Sequence, residues 1–246
     1  MYIDELKIAK KAAKLAGSFL VNNKNKLDKT IYSSNKDIKL KADIEAESII
    51  KKIISTESDI PILAEESIDS MKELAETYWV VDPLDGTANY SRNIPMCCVS
   101  IAMISKNIPV LGVVYDFNNK DMYQGSVDDR ASLNGKYICV SSIDSKSEGI
   151  LLTGLPNNTD FSDEALIKTV KDFQNWRKIR MIGSAAMASI YIASGKAEVY
   201  KEKKSYVWDI AAGAAIVNSA GGKALISEIN DNFQVDVHFS NSLIQL

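Results

Sequence analysis

The sequence predicts alternating layers of helix and sheet: an antiparallel sheet with two amino-terminal helices, then a second sheet and helix layer. Three observations support this fold class. Two amphipathic helical patterns lie in the first 60 residues, and short apolar runs separated by turn sequences follow them. Beyond about residue 142, strand-like and helical patterns alternate.

The first helix is predicted from Tyr2 to about Asn22, where apolar residues recur at helical spacing and lysines occupy much of the other face. The second is predicted from Ala42 to Ile54. On this helix Asp43 and Glu47 are four residues apart, so both carboxylates point the same way. Taken alone, these two acids fit a solvated helix surface.

The strands of the first half are short apolar runs that end in turn residues or acids. Turn chemistry between them predicts an antiparallel meander. The runs are Pro61–Ala64, Trp79–Val81, Cys97–Ile104, Val110–Phe117 and Met122–Gln124.

The second half predicts strands at 150–154, 178–181 and 197–200. Helices are predicted at 162–173, with Ser162 as N-cap, from Gly183-Ser184 to Ala193, and at 210–220, opened by Asp209. We place a soft boundary near residue 142, which gives two subdomains, 1–142 and 143–246. The first would carry the acidic motifs described below, and the second would complete the site.

Composition excludes several classes of protein. A net charge of -3 gives no reason to expect a nucleic-acid polymer or an anionic membrane as partner, and no apolar run approaches membrane-spanning length. The amino terminus lacks the layout of a secretory signal, so we expect a cytoplasmic protein. The three cysteines lack metal-ligand spacing, and with one histidine, His238, acid–base chemistry falls on carboxylates or metal-bound water.

The stretch from Tyr78 to Tyr90 combines a buried-strand pattern with two acids. Asp82 and Asp85 follow the apolar run, with Pro83 between them and Gly86-Thr87 behind. Acids and a glycine at a strand end suit hard cations and a phosphate. An ordinary Asp/Pro/Gly turn explains the same residues equally well.

Two further acidic sites follow the same layout: Glu65-Glu66 after a strand, and Asp209 at a helix start. Mg²⁺ prefers about six oxygen ligands, and two such ions can clamp a phosphoryl group. Carboxylates of this set and the Leu84 carbonyl would supply those oxygens. Each acid also has a structural alternative, since Asp209 fits a plain N-cap and Glu65-Glu66 a solvated turn.

Several motifs together resemble the inositol monophosphatase family of magnesium-dependent, typically lithium-sensitive phosphatases. The resemblance covers residues 36–241 and implies the layered αβαβα sandwich of sugar phosphatases. It also implies a small phosphorylated substrate, two or three Mg²⁺ ions and a homodimer. The matching segments are Ala64–Ser67, Trp79–Tyr90, Gly112–Asp116, Asn134–Ser141, Trp208–Gly213 and Gly221-Gly222.

The resemblance assigns a role to each matching residue. Glu65, Asp82 and the Leu84 carbonyl would bind one metal, and Asp82, Asp85 and Asp209 a second. Glu65 and Thr87 would orient and deprotonate the attacking water, and the Gly86 and Thr87 amides would contact the phosphate. Asp43 would support a weaker third metal through water. The remaining substrate contacts would come from Ser184, Ala185, Asp209 and Glu202, the last of which contacts hydroxyls in polyol-cleaving members. Asp85 would be catalytic together with Glu65 and Thr87.

Two departures from the family pattern bear on function. Asp37-Ile38-Lys39-Leu40 lacks the threonine usual near the weak metal site, which bears on lithium sensitivity. Three lysines flank Glu202: Lys201, Lys203 and Lys204. They are consistent with a solvated charge cluster or with a site for a second phosphate. Substrates therefore stay open between inositol monophosphate and alternatives: a bisphosphate nucleotide, histidinol phosphate or fructose bisphosphate. The remaining hypothesis is a catalytically silent relative that acts as a binding or regulatory protein.

Overall fold

The computed structural model describes residues 2–27, 30–33, 38–70, 74–155 and 159–244. Asp37, in the departure from the family pattern, lies outside these residues. Two of the helices, α1 (Ile3–Leu27) and α2 (Lys41–Glu57), open the fold, as predicted. The others are α3 (Thr87–Ser91), α4 (Asp163–Asp172), α5 (Ala185–Ala193) and α6 (Val207–Ser219).

The strands form three sheets. The small pair is β1 (Thr30–Ser33) with β2 (Ile38–Leu40). The large sheet has the order β3 to β9, antiparallel except where β3 and β4 run parallel. Its strands are β3 (Ile62–Ala64), β4 (Thr77–Asp85), β5 (Cys98–Ser105), β6 (Ile108–Asp116), β7 (Asp121–Ser126), β8 (Asp129–Leu133) and β9 (Lys136–Tyr137).

The third sheet is mixed, with the order β11-β10-β12-β14-β13. Its central strand β12 pairs parallel to β10 and antiparallel to β14. The strands are β10 (Ile150–Thr153), β11 (Lys178–Met181), β12 (Val199–Tyr206), β13 (Lys223–Ile226) and β14 (Gln234–Ser240).

Strand β4 shows how the layers stack. Trp79 and Val81 face the apolar layer under α1 and α2, whereas Tyr78 and Val80 face the layer shared with α5 and α6. The strand is therefore buried on both faces, which explains its continuous apolar run. Helices α5 and α6 lie between the large and the mixed sheet, so both halves of the chain share one core.

The close approach of α6 to the large sheet requires a glycine. A Cβ at Gly112 on β6 would overlap the backbone of Ala212 on α6. The first turn of α6 contacts the same sheet through Ser100 of β5, which pairs with Asp82 and whose hydroxyl donates to the Trp208 carbonyl at 3.4 Å. Among the described residues, no helix combines the length and apolar character needed to cross a bilayer.

Candidate active site

A one-residue irregularity in β4 brings Asp82 and Asp85 to the same end of the strand. Asp82 pairs with Ser100 of β5 and Asp85 with Cys98, so two residues of β4, Pro83 and Leu84, oppose the single residue Val99 of β5. In a regular strand, residues three apart would point to opposite faces. Pro83 lies inside this bulge, and the Leu84 amide donates to Asp82 Oδ1 at 2.9 Å.

Gly86 ends the strand and starts the helix that carries Thr87. Its φ of 89° is left-handed, and a Cβ there would lie 2.8 Å from the Met96 carbonyl oxygen. Helix α3 begins directly afterwards at Thr87. The Thr87 hydroxyl lies within hydrogen-bond distance of Asp43 Oδ1, at 3.0 Å, and of the Leu84 carbonyl, at 3.1 Å.

Asp43 is buried in the first turn of α2, with 1% of its surface exposed. Its Oδ2 accepts from the Leu40 amide at 2.7 Å. Burial raises the pKa of Asp43 to about 7, against the Leu40 hydrogen bond and with a further contribution from the Glu66 charge. The solvated-helix alternative for Asp43 therefore does not describe its surroundings.

Glu65 lies close to Asp82 and Asp85 because β3 and β4 run parallel. Ala64 is in register with Val81, so the next residue of each strand, Glu65 and Asp82, emerges at the same edge. Burial raises the pKa of Glu65 well above its usual range, and the Asp209 charge adds to the effect. Burial and the Glu65 charge do the same to the pKa of Asp82.

Asp209 comes from the second half of the chain. Helix α6 begins at Val207, three residues earlier than predicted, so Asp209 lies in the first turn and not at the N-cap. Its Oδ2 accepts from the Tyr206 amide at 3.1 Å. The partly exposed carboxylate acts on the pKa values of both Glu65 and Asp82, which locates it in the same cluster.

The amino end of α5 holds Asp85 from the other side. Asp85 Oδ2 accepts hydrogen bonds from the Ser184 hydroxyl and, at 2.7 Å, from the Ala186 amide. Burial raises the pKa of Asp85 to about 6, and these donors limit the rise. The Asn89 side chain donates to the Ile182 carbonyl at 2.9 Å, which fastens this turn to α3.

Glu202 lines a pocket of about 220 Å³ together with Asp85, Ser184, Ala185 and Asp209. The Tyr200 and Ser205 hydroxyls lie 3.2 and 3.3 Å from its carboxylate oxygens. Burial raises the pKa of Glu202 to about 7, and the Asp85 charge contributes. The pocket therefore joins one predicted site residue of the first half, Asp85, to four of the second half.

Comparison with known proteins identifies this arrangement. The profile of the inositol monophosphatase family matches residues 3–241. The chain belongs to this family. It is accordingly a phosphoric monoester hydrolase.

Individual members show the same relationship. Over 216 residues the chain is 35% identical to Nus factor SuhB of Xylella fastidiosa, which covers 86% of this chain and 78% of the relative. It is 35% identical over 191 residues to inositol-1-monophosphatase of Synechocystis, an alignment that covers 76% of this chain and 66% of the relative. The solved structure of extragenic suppressor protein suhB from Bartonella henselae superposes with a TM-score of 0.83 at 28% identity. The superposition covers 95% of this chain and 93% of that structure. The layered α/β sandwich is thus confirmed.

The donor set of this inositol monophosphatase fold suits a hard cation. Burial raises the pKa of Glu65, Asp82 and Asp85, and repulsion by neighbouring acids, Asp209 among them, adds to the effect at Glu65 and Asp82. A divalent ion would offset this repulsion. Across the described ranges, no three His, Cys, Asp or Glu side chains converge tightly enough to form a ready-made metal site. Asp82, Asp85 and Asp209 instead use an oxygen each for protein donors.

Sequence reasoning missed two residues that support the cluster. Glu47 is buried, and its carboxylate accepts from the Glu66 amide at 2.7 Å and the Ser67 hydroxyl at 2.6 Å. Asn89 links α3 to the turn before α5. The signal for Glu47 was its place one turn after Asp43. Asn89 gave no such signal, because its partners in the turn before α5, Ile182 and Gly183, lie over 90 residues away.

Proposed function

We propose that the protein is a Mg²⁺-dependent phosphomonoesterase that hydrolyses inositol monophosphate or a similar small polyol phosphate. The observation that carries the proposal is the cluster of four carboxylates, Glu65, Asp82, Asp85 and Asp209, close enough for their charges to act on one another. Two of them, Asp85 and Asp209, line the pocket that also holds Glu202. In the proposal, Glu65, Asp82 and the Leu84 carbonyl hold one ion, and Asp82, Asp85 and Asp209 hold a second. Asp43 supports a third through water.

Bound Mg²⁺ would activate water and neutralise charge on the phosphoryl and leaving oxygens. The remaining chemistry belongs to the chain. Glu65 and Thr87 orient the attacking water, and the Thr87 hydroxyl is already positioned by Asp43. The Gly86 and Thr87 amides donate to the phosphate. Glu202 accepts hydrogen bonds from substrate hydroxyls in the pocket that it lines with Ser184 and Ala185.

A bisphosphate substrate is the second candidate, because four lysines line a cavity next to Glu202. The relatives support hydrolysis but differ in name, since one is called an inositol-1-monophosphatase and several are called Nus factor SuhB. The expectations of no nucleic-acid partner, a homodimer, a cytoplasmic location and lithium sensitivity therefore stay predictions.

A phosphate-release panel tests the proposal. It compares inositol 1-phosphate, histidinol phosphate and adenosine 3′,5′-bisphosphate, with and without Mg²⁺ and Li⁺. We expect release from inositol 1-phosphate that requires Mg²⁺. Absence of release from every substrate in the presence of Mg²⁺, or release that ignores Mg²⁺, would overturn it.

A further inference from the structure

A second cavity, of about 470 Å³, opens directly beyond Glu202. Glu202 and the segment Thr153–Leu155 line both this cavity and the smaller pocket at the acidic cluster, so the two spaces share a wall. Its size falls within the range of roughly 300 to 1,000 Å³ common for small-molecule sites. We call it the lysine cavity, after the four lysines that line it: Lys168, Lys201, Lys203 and Lys204.

Four acids also line the lysine cavity, so its total charge does not decide what it binds. They are Asp160, Asp172, Glu202 and Asp236. The pairing within the cavity is more informative. Lys201 Nζ lies 3.1 Å from Asp172 Oδ2, and the Lys204 charge helps to lower the pKa of Asp160, after the two hydrogen bonds from Ser162. Lys168 and Lys203 have no ion-pair partner within the part of the chain that the structure describes.

The two unpaired lysines come from different elements. Lys168 is on α4, whereas Lys203 is on β12, one residue after Glu202. An anion held by both would span the gap between α4 and the mixed sheet. Helix α4 has no buried residue of its own, so such an anion would add a contact between the helix and the sheet.

His238 supplies a further polar group to the lysine cavity. It lies opposite Lys201 in the β12–β14 pair, and its Nε2 is buried without a hydrogen-bond partner among the described residues. Burial lowers the pKa of His238, so the ring is neutral near pH 7. Leu155, Phe173 and Val237 provide apolar lining for a carbon skeleton.

The geometry points to a substrate whose leaving group carries a second anionic group, seated in the lysine cavity against Lys168 and Lys203. This inference rests on the proposed phosphatase function and narrows its substrate class. The phosphoryl group would occupy the acidic cluster, the hydroxyls would pass over Glu202, and the far end would reach the two lysines. The second group is a phosphate or a carboxylate, which both lysines would bind through charge-assisted hydrogen bonds.

Three open-chain six-carbon phosphates separate these possibilities. Glucitol 6-phosphate has a neutral far end, 6-phosphogluconate a carboxylate, and glucitol 1,6-bisphosphate a second phosphate. We expect KM for one or both of the charged compounds to be about tenfold lower than for glucitol 6-phosphate, since two exposed ion pairs contribute about that much. The better of the two identifies the second group.

Two variants assign the effect to the lysine cavity. In Lys168→Gln/Lys203→Gln, the preference should disappear, so that KM for the charged compounds equals the value that the same variant shows for glucitol 6-phosphate. Lys171→Gln, which removes a lysine of α4 outside the cavity lining, should behave as the wild type. Equal KM values for all three compounds in the wild type, or an unchanged preference in the double variant, would overturn the inference.

A binding measurement keeps this test separate from the test of hydrolysis. The melting temperature is measured with each charged compound in EDTA, for the wild type and the double variant. If no compound releases phosphate with Mg²⁺, the proposed hydrolysis fails. A melting-temperature increase confined to the wild type and to the charged compounds would still support the lysine cavity, and its absence would refute it.

Discussion

The two walls of the site are held in place differently. On the wall from the large sheet and its helices, backbone amides fix the carboxylates: Leu84 for Asp82, Leu40 for Asp43 and Ala186 for Asp85. On the wall from the mixed sheet, two side-chain hydroxyls contact the Glu202 carboxylate. Beyond Glu202 the lining includes four lysine side chains.

The difference indicates which properties a point substitution can change. Backbone donors stay in place when side chains are exchanged, so the acidic wall and its reaction are tied to the fold. The Glu202 carboxylate is held by side-chain hydroxyls, and substitutions around it alter the leaving-group environment without removing the backbone donors of the acids. We therefore expect reaction type and substrate choice to be separable in this protein.

The largest effect should come from Glu65→Gln on the acidic wall. We expect kcat to fall by about a thousandfold, because metal-based charge stabilisation contributes several kcal/mol. The metal-free variant should melt at a higher temperature than the wild type, because the variant lacks a charge that Asp209 and burial destabilise. Phosphate-release assays and melting curves in EDTA measure both.

Glu76→Gln, at an exposed ion pair with Lys106, is the matched control and should change neither quantity. A metal-free Glu65→Gln protein that melts lower than the wild type would mean that Glu65 serves the fold and not the ion.

A smaller effect should follow from Glu47→Ala, which acts on the same wall without contacting substrate. The substitution leaves the Glu66 amide and the Ser67 hydroxyl without their acceptor. We expect a loss of about 2 to 4 kcal/mol in unfolding free energy. Mg²⁺ affinity should fall by about 10- to 100-fold, because Glu47 positions the segment that carries Glu65.

Chemical denaturation and a Mg²⁺ titration of the melting temperature check these two values. Glu45→Ala, an exposed acid on the same helix, should leave both near the wild type. Unchanged Mg²⁺ affinity in a folded Glu47→Ala protein would limit Glu47 to a structural role.

The smallest predicted effect concerns pH and the other wall. The pKa of Glu202 is raised from its ordinary value to about 7, so its protonation stabilises the fold at low pH, and this contribution is lost as pH rises through 7. Glu202→Gln has no such titration. We therefore compare the unfolding free energy of Glu202→Gln with that of the wild type. The difference, variant minus wild type, should be about 1 to 2 kcal/mol larger at pH 8 than at pH 5, a range that allows for the partial exposure of Glu202.

Denaturation of both metal-free proteins at several pH values measures this difference. The other carboxylates titrate in both proteins and cancel. A difference that does not vary with pH would contradict the raised pKa.

Much of this architecture could be predicted because it is local. Helix periodicity located α1 and α2, and the N-cap at Ser162 is where its residue type predicts, with its hydroxyl accepting from the Ala165 amide. The bulge at Pro83 could not be predicted, since strand pairing fixes it. The contact of Thr87 with Asp43 and that of Asp85 with Ser184 join residues 44 and 99 positions apart, and tertiary packing alone brings them together.

The central claim is that the acidic wall holds the Mg²⁺ on which phosphate release depends. The most direct measurement compares Asp85→Asn with the wild type, using inositol 1-phosphate over a series of Mg²⁺ concentrations. We predict that Mg²⁺ raises the melting temperature of the wild type. We predict that Asp85→Asn lowers release by at least about a thousandfold. Mg²⁺-dependent release by Asp85→Asn at the wild-type rate would contradict the account.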